Sequence, residues 1–382
     1  MPYTPRLRKA VGEVRAALEQ TGLERQSTAF ARHGSHEPAQ DAPLVLVACS
    51  GGRDSTALAA VTRTVCGMLG LRAGAVIVDH DLQSGSAEVA QAAASRCRSL
   101  GLNPVVIRRV DVNERGEGLE AAAREARYHA LTDVARDMQA TAVLLAHTMD
   151  DQAETVAMGL LRSRGIDAIA GMPSSFRRDG VMFVRPLLHL SREETTGICE
   201  DLALDYWDDP TNGESLEGEL PRDYPLRSRV RHDLLPAVCR FAGADITRRL
   251  AQSAELARRD KDFLDQCADR ALAESVVFAD RAGTLKSSDQ PGQSDSPAPL
   301  NRVMLTVDAR KLAGEHPAIR QRVIAHALNR MGIETNAVQT MAIDRLIVDW
   351  HGQGPVHLSS GYSANRKKHV IRVCQDGAHA NR

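Results

Sequence analysis

Four apolar runs of strand length alternate with helical patterns in the first half of this 382-residue chain. The runs are LVLVAC, AGAVIVD, PVVIRRV and TAVLLAH, and the helical patterns lie near residues 55–69, 87–100 and 119–138. Continuous apolar strands separated by helices indicate a parallel sheet that is covered on both faces. The sequence therefore predicts a doubly wound, mainly parallel α/β sheet, in which ligands bind beyond the carboxyl ends of the strands.

The alternation stops near residue 241, where a long charged helical pattern begins. A Ser, Pro, Gly and Asp-rich segment at 287–301 follows, and then come helical patterns at 317–331 and 337–350. Two short extended runs, around GPVHLSS and KHVIRVC, follow these patterns. The change of pattern predicts two domains, 1–242 and 243–382, of which the second is a smaller α/β module.

The composition favours a soluble, cytoplasmic protein. Seven cysteines are scattered without a CxxC pair or a zinc-like ladder, which is typical of reduced thiols. The first twenty residues lack the apolar core of a signal peptide, and no apolar run reaches membrane-spanning length. With a net charge of only −1, the chain as a whole does not indicate a nucleic-acid partner. No obligate protein partner is evident.

The stretch VLVACSGGRDSTALAA joins the first apolar run to the first helix. Backbone N–H groups and the helix dipole attract an anion at such a junction. Gly51 and Gly52 permit unusual dihedrals there, and Ser50 and Ser55 add hydroxyl donors. Asp54 beside a phosphate requires a shared Mg²⁺ ion or an ammonium substrate. We therefore interpret the loop as a nucleotide-phosphate cradle; the alternative is a capped Gly-Ser turn.

Two further stretches carry paired charges. Asp151 and Glu154 in HTMDDQAET are three residues apart at a predicted helix start, so both carboxylates share one face and could hold a cationic substrate. The alternative is complementation of the helix dipole. Arg124 and Arg127 in REARY also share a helix face, where they could meet a phosphate or form ordinary solvated pairs.

The loop SGGRDS resembles the SGGxDS loop of the N-type ATP pyrophosphatases, which cut ATP between the α and β phosphates and adenylate a carbonyl oxygen. Five more stretches are similar to one family of this group, the tRNA(Ile)-lysidine synthetases: VDHDLQSGS, GLEAAAREARYHAL, LLAHTMDDQAETVAMGLLR, DDPTN and RSRVRHDLLPAV. The resemblance runs from about residue 45 to 238. It implies a PP-loop fold and a smaller C-terminal domain that binds tRNA.

The resemblance implies a two-step ligation. ATP adenylates the C2 carbonyl oxygen of the wobble cytidine of the isoleucine tRNA with a CAU anticodon, and free L-lysine then displaces AMP from C2. ATP and Mg²⁺ are the implied cofactors.

The resemblance also implies roles for particular residues. Asp151 and Glu154 would bind lysine, and Asp54 would assist with the amine or the metal, so these three are the catalytic candidates. Nucleotide binding would fall to Ser50, Gly51, Gly52, Arg53, Asp54, Ser55, Asp79, His80 and His147. Substrate binding would fall to Arg124 or Arg127 for the α-phosphate or the lysine carboxylate, and to Arg227 and Arg231 for the tRNA backbone.

The chain departs from the family pattern at Asp81 and Gln83, where glycine and arginine are usual, and at Ser228, where asparagine is usual. A direct phosphate contact after His80 is therefore in doubt. Two other functions stay open. One is a tRNA thiolase or amidating pyrophosphatase with the same loop, although thiolases use paired cysteines; the other is an ATP-dependent tRNA-binding protein without catalysis.

Overall fold

The structure is a computed structural model that describes residues 3–31, 37–81, 85–112, 118–163, 165–208, 216, 218–279 and 302–375. Two compact units make up the chain, Met1–Arg258 and Arg259–Arg382. The division falls inside one long helix, α10 (Ile246–Ser275), whereas the sequence pattern places the domain boundary before this helix, at 242/243. The predicted low-complexity segment at 287–301 and the position of Gln83 lie outside the described residues.

The first unit contains a six-stranded sheet in the order β3-β2-β1-β4-β6-β5. The strands are β1 (Leu44–Ala48), β2 (Arg72–Asp79), β3 (Val105–Arg109), β4 (Ala142–Leu144), β5 (Ser175–Arg178) and β6 (Val181–Val184). All neighbours pair in parallel except the hairpin β5–β6. The predicted mainly parallel sheet is therefore confirmed, with the addition of an antiparallel edge.

Helices cover both faces of this sheet, as the apolar strands require. The helices of this unit before α10 are α1 (Pro5–Gln20), α2 (Arg53–Leu69), α3 (Ser86–Ser99), α4 (Leu119–Asp137), α5 (Met149–Arg162), α6 (Ile166–Ile169), α7 (Arg192–Asp201), α8 (Leu226–Arg229) and α9 (Leu235–Ala242). Val45 and Val47 of β1 pack in a core with α1, α2 and α3, while Leu44 and Leu46 pack against α4 on the other face. Side chains alternate along a strand, so an unbroken apolar run is what a strand covered on both faces needs.

The second unit is a smaller α/β module with its own core. Its antiparallel sheet has the order β7-β8-β11-β10-β9. The elements are β7 (Val276–Phe278), β8 (Arg302–Asp308), α11 (Ala309–Ala313), α12 (Pro317–Arg330), α13 (Ala337–Val348), β9 (Val356–His357), β10 (Tyr362–Lys367) and β11 (Val370–Gln375). The predicted small α/β module is confirmed, and α12 and α13 lie where the sequence pattern placed them. No helix in the described part of the chain is long and apolar enough to cross a membrane.

Candidate active site

The loop between β1 and α2 contains one residue with a left-handed backbone conformation, Gly51, whose φ is +84°. A Cβ at this position would lie 2.9 Å from the Cβ of Ala93 on α3. Gly52, in contrast, caps α2 with φ −74° and ψ 168°, and a Cβ there would meet nothing closer than 3.6 Å. The prediction of unusual dihedrals is confirmed for Gly51 and wrong for Gly52, which adopts a conformation open to any residue.

Hydrogen bonds within the loop hold its shape. The amide of Ser50 donates to Oγ of Ser55 at 3.2 Å, and this hydroxyl donates to the carbonyl of Gly52 at 2.9 Å. The carbonyl of Gly51 accepts from the amide of Trp207 at 2.9 Å. Ser55 therefore orders the loop from within, while the exposed Ser50 lies at its surface. The N-terminus of the 17-residue helix α2 adds its positive dipole end at this point.

A cavity of about 790 Å³ opens beyond the carboxyl ends of β1, β2 and β4. This volume lies in the usual range for small-molecule sites. Most of the predicted site residues line it, namely Ser50, Gly52, Arg53, Asp54, Ser55, Asp79, His80, Arg127, His147, Asp151, Arg227 and Arg231. The phosphate loop and the start of α5 therefore share one cleft. Gly51, Arg124 and Glu154 do not belong to this lining.

Asp54 lies in the first turn of α2, and its carboxylate accepts a hydrogen bond from the Thr195 hydroxyl on α7. Burial raises the pKa of Asp54, and the nearby negative charge of Asp151 raises it further, although the Thr195 hydrogen bond opposes the shift. The side chain keeps about a quarter of its surface exposed. Asp54 is thus a carboxylate whose surroundings favour an added proton or cation.

Glu154 is the most enclosed of the predicted residues, with 1% of its surface exposed. Three arginines surround its carboxylate: Nε of Arg231 lies 2.6 Å from Oε1, Nη2 of Arg192 lies 3.1 Å from Oε1, and Nε of Arg227 lies 3.3 Å from Oε2. All three arginines line the cavity, whereas Glu154 does not. Its role in lysine binding stays a prediction; what the geometry provides is an anchor for three arginines.

Asp151 faces the cavity and also closes the capping box at the start of α5. Its Oδ2 accepts from the amide of Thr148 at 2.8 Å, and its Oδ1 lies 3.5 Å from Arg192 and from Arg231. Burial opposes its negative charge, but the cations of Arg192 and Arg227 and the Thr148 amide favour it and keep the pKa of Asp151 below its ordinary value. Asp151 is therefore an ionised carboxylate throughout the neutral range.

His147 follows β4, and its Nδ1 accepts a hydrogen bond from Nε of Arg185 at 3.2 Å. Burial lowers the pKa of His147 well below its usual range, and the positive charges of Arg185, Arg127 and Arg227 add to this effect, while Asp151 opposes it. The imidazole is therefore neutral near pH 7. The positive charge that stabilises the Asp151 carboxylate therefore comes from the arginines rather than from His147.

Arg127 lines the cavity, and its Nε is buried without a hydrogen-bond partner. No carboxylate lies within ion-pair distance of it in the described residues, and its cation lies 5.8 Å from the ring of Tyr128. Burial lowers the pKa of Arg127, yet guanidinium keeps its proton in proteins. A half-buried cation that lines a cavity and whose Nε lacks an acceptor suits an anionic ligand. Arg124, the other candidate of the pair, is exposed, and its guanidinium lies 5.2 Å from the ring centre of Tyr128.

Asp79 and His80 follow β2 and line the same cavity. Oδ1 of Asp79 accepts from the amide of Asp81 at 3.0 Å, so Asp79 stabilises the turn at the strand end. Nδ1 of His80 is buried without a partner, and burial lowers the pKa of His80 with a further contribution from Arg127. Asp81 pairs with Arg109. Asp81, at the position where glycine is usual in the family, is thus an acid that is neutralised within the protein.

Sequence reasoning missed Arg192, Arg185 and Trp207. Arg192 opens α7, where Ser191 and Glu194 form a capping box. The pattern SREE therefore predicts a helix start. That Arg192 reaches the carboxylates of α5, however, depends on the fold. Arg185 follows β6, a short strand with no strong signal. No group of three or more His, Cys, Asp or Glu side chains in the described residues has the geometry of a metal site.

Comparisons with known proteins agree with this architecture. Residues 20–238 match the family model of the PP-loop domain, and residues 308–373 match the TilS substrate binding domain. A tRNA(Ile)-lysidine synthase of Bifidobacterium longum subsp. infantis is 62% identical over the full length of both chains. One of Salinispora tropica is 40% identical over 91% of this chain and 95% of its own.

A solved structure supports the fold alone. The U34-tRNA thiolase NcsA from Methanococcus maripaludis, determined with its [4Fe-4S] cluster, superposes with a TM-score of 0.51 at 16% identity. The superposition covers 66% of this chain and 79% of the thiolase. The full-length similarity at high identity and the two matched domains, in this order, place the chain in the tRNA(Ile)-lysidine synthase family.

Proposed function

We propose that the chain ligates lysine to C2 of the wobble cytidine of the isoleucine tRNA with a CAU anticodon, consuming ATP and releasing AMP and pyrophosphate. One observation carries this proposal: the phosphate loop, a half-buried arginine whose Nε has no hydrogen-bond partner, and an ionised aspartate line the same cavity. The substrates, tRNA and lysine, make the cytoplasm the compartment of the reaction. No obligate protein partner is part of this proposal.

In the first step the C2 carbonyl oxygen of cytidine attacks the α-phosphorus of ATP, and pyrophosphate leaves. The loop at Gly52 and the N-terminus of α2 hold the pyrophosphate. Arg127 meets the α-phosphate, because an anion there supplies the acceptor that its buried guanidinium lacks. We therefore assign the α-phosphate contact to Arg127 rather than to Arg124.

Mg²⁺ fits this site through Asp54. The carboxylate lies at the cavity wall, and burial together with Asp151 disfavours its negative charge, so a cation would be stabilised there. A bound Mg²⁺ ion would neutralise phosphate charge, with phosphate oxygens and water as its remaining ligands.

In the second step the ε-amine of lysine attacks C2, and AMP leaves. Free lysine has an ε-amine pKa of about 10.4, so the amine must lose a proton. Asp54 has a raised pKa and suits proton acceptance once pyrophosphate has left, whereas Asp151, whose pKa is lowered, suits a fixed anionic contact to an ammonium group. Glu154 acts in this scheme through the arginines that it holds.

The tRNA needs contacts beyond this cavity. Arg227 and Arg231 border it and supply positive charge for the tRNA backbone, in addition to their pairing with Glu154. The hairpin β10–β11 of the second unit carries two adjacent exposed lysines, Lys367 and Lys368, which we assign to backbone contacts as well.

The test uses the purified chain with ATP, labelled lysine and the minor isoleucine tRNA, and it scores lysine incorporation and AMP release. Incorporation of one lysine per tRNA is expected. AMP release with a sulfur donor but without lysine incorporation would favour thiolation, and tRNA binding without AMP release would favour a non-catalytic protein.

Asp151→Asn tests the anionic contact. Asparagine still accepts the Thr148 amide bond but loses the charge, so we expect lysine transfer to fall by about 100-fold or more while ATP affinity stays within severalfold. Asp137→Asn, an exposed acid near the end of α4, is the matched control. A collapse of ATP binding in Asp151→Asn would show that the residue serves the nucleotide instead.

A further inference from the structure

Arg185 is a buried arginine outside the cavity lining, with 4% of its surface exposed. Its guanidinium is held on every side: Nη1 donates to the carbonyl of Pro173 at 2.7 Å, Nη2 donates to the hydroxyl of Tyr128 at 3.3 Å, and Cζ lies 4.6 Å from the ring centre of Phe176. Its third nitrogen, Nε, donates to Nδ1 of His147 at 3.2 Å. No carboxylate in the described part of the chain pairs with it, so its one contact with the candidate site is the imidazole.

This contact decides which nitrogen of His147 carries the proton. Guanidinium has donors only, so Nδ1 of His147 must accept. A neutral imidazole whose Nδ1 accepts bears its hydrogen on Nε2. Nε2 has no hydrogen-bond partner among the described residues, and it is not among the buried unpartnered atoms, while His147 lines the cavity. The Nε2–H group is therefore the part of the ring that is open to a ligand.

We propose that Arg185 is a positioning residue that fixes His147 as a neutral Nε2–H donor to an acceptor atom of the bound nucleotide. The proposal rests on the proposed function for the identity of the ligand, but the tautomer is a property of the protein alone. A donor that cannot rotate away or take a second proton is oriented before the ligand arrives, which saves the cost of reorganisation.

Most of the charges around His147 also favour its neutral form. Arg185 follows β6, Arg127 lies on α4 and Arg227 lies on α8, and all three disfavour an imidazolium; Asp151 on α5 favours it. Tyr128 on α4 contacts Arg185 through its hydroxyl. Loss of the Arg185 charge removes one of the three opposing cations, so the pKa of His147 must rise toward its ordinary value.

The first measurement is made on the unaltered chain without substrate. ¹⁵N-histidine labelling, with His147→Gln used to assign the resonance, reports the tautomer and its titration. We expect the Nε2–H form and no protonation of His147 between about pH 8 and pH 5.5. An Nδ1–H tautomer, or ordinary titration near pH 6.5, overturns the proposal whether or not the chain makes lysidine.

The second measurement uses variants. In Arg185→Gln we expect a mixture of tautomers and a new acid limb in the pH profile of kcat below about pH 6.5, with kcat at neutral pH reduced by about 10-fold or more. Arg185→Lys keeps a cationic donor and should lack the acid limb. Arg177→Gln, an exposed arginine on the neighbouring strand β5, is the matched control and should match the unaltered chain. Equal loss of activity at every pH in Arg185→Gln would indicate a structural role only.

If Arg185→Gln does not fold, variants of His147 keep the idea testable. The amide nitrogen of Gln can donate from nearly the position of Nε2, whereas Met cannot donate. His147→Gln should therefore retain at least about 10-fold more activity than His147→Met. Equal activities would overturn the donor role, and failure of the unaltered chain to make lysidine would reject the proposed function while leaving the tautomer result intact.

Discussion

The sequence pattern and the fold suggest different roles for Glu154. As part of a sequence pattern it is one of two acids on a helix face, ready for an ammonium group. In the fold its carboxylate is enclosed by Arg192, Arg227 and Arg231, which leaves no surface for a ligand of its own. Removal of a buried charge from such a cluster leaves its partners uncompensated.

Glu154→Gln should therefore destabilise the first unit by about 3–5 kcal/mol, because three cations lose their shared anion. Lysine incorporation should also fall, since the same arginines border the cavity. Denaturant unfolding followed through the fluorescence of Trp207, beside the phosphate loop, measures the free energy of unfolding. Glu120→Gln, an exposed glutamate at the start of α4, is the control and should change stability by less than about 0.5 kcal/mol. A loss of activity at full stability would favour direct lysine binding by Glu154.

The difference between Asp151 and Glu154 could not be read from their spacing. Both lie on one face of α5, as the three-residue separation predicts. Which of them opens to the cavity depends on the arginine at 192 and those at 227 and 231, which approach from α7 and from the helical segment that begins with α8. The sequence locates the acids, and only the fold assigns the partners that separate their roles.

At the scale of elements, the phosphate loop offers a matched pair of glycines. Gly51 needs its left-handed backbone and its lack of a side chain, while Gly52 has an ordinary backbone and space for a Cβ. Gly52 does, however, line the cavity. The two positions should therefore fail in different ways when alanine is introduced.

Gly51→Ala should lower the free energy of unfolding by about 1–3 kcal/mol, through backbone strain and the collision with Ala93. Gly52→Ala should leave stability within about 0.5 kcal/mol but weaken ATP binding by about 10-fold or more, because a methyl group keeps phosphate from the loop amides. Denaturant unfolding and ATP titration of both variants separate the two effects. Equal destabilisation by both substitutions would contradict this assignment.

The sequence predicted those elements that are mostly apolar because they are buried. Strands β1 to β4 are nearly continuous apolar runs because helices cover both faces of the sheet. The hairpin β5–β6 escaped notice since β5 reads SFRR, with alternating exposed positions at the edge of the sheet. β10 reads YSANRK and is equally polar. Such strands are specified by their pairing partners rather than by their own apolar pattern.

At the scale of the whole molecule, a net charge of −1 hides a local concentration of positive charge. Lys367 and Arg372 are exposed on the hairpin β10–β11, within the segment matched by the TilS substrate binding domain. Arg366, in contrast, donates to the carbonyls of Leu346 and Ile347 at the end of α13, so it serves the fold. Only the free cations of this hairpin are suited to tRNA phosphates.

Lys367→Glu should weaken binding of the isoleucine tRNA and reduce the slope of log affinity against log salt by about 1, because each phosphate contact releases a counterion. ATP affinity without tRNA should stay unchanged, since the cavity lies in the first unit. Fluorescence anisotropy of labelled tRNA across a series of KCl concentrations measures both the affinity and the slope. Arg25→Glu, at an exposed position in the first unit, makes the same charge change and should leave the slope intact. Equal slopes for the two variants would mean that the overall charge, rather than this hairpin, governs the encounter with tRNA.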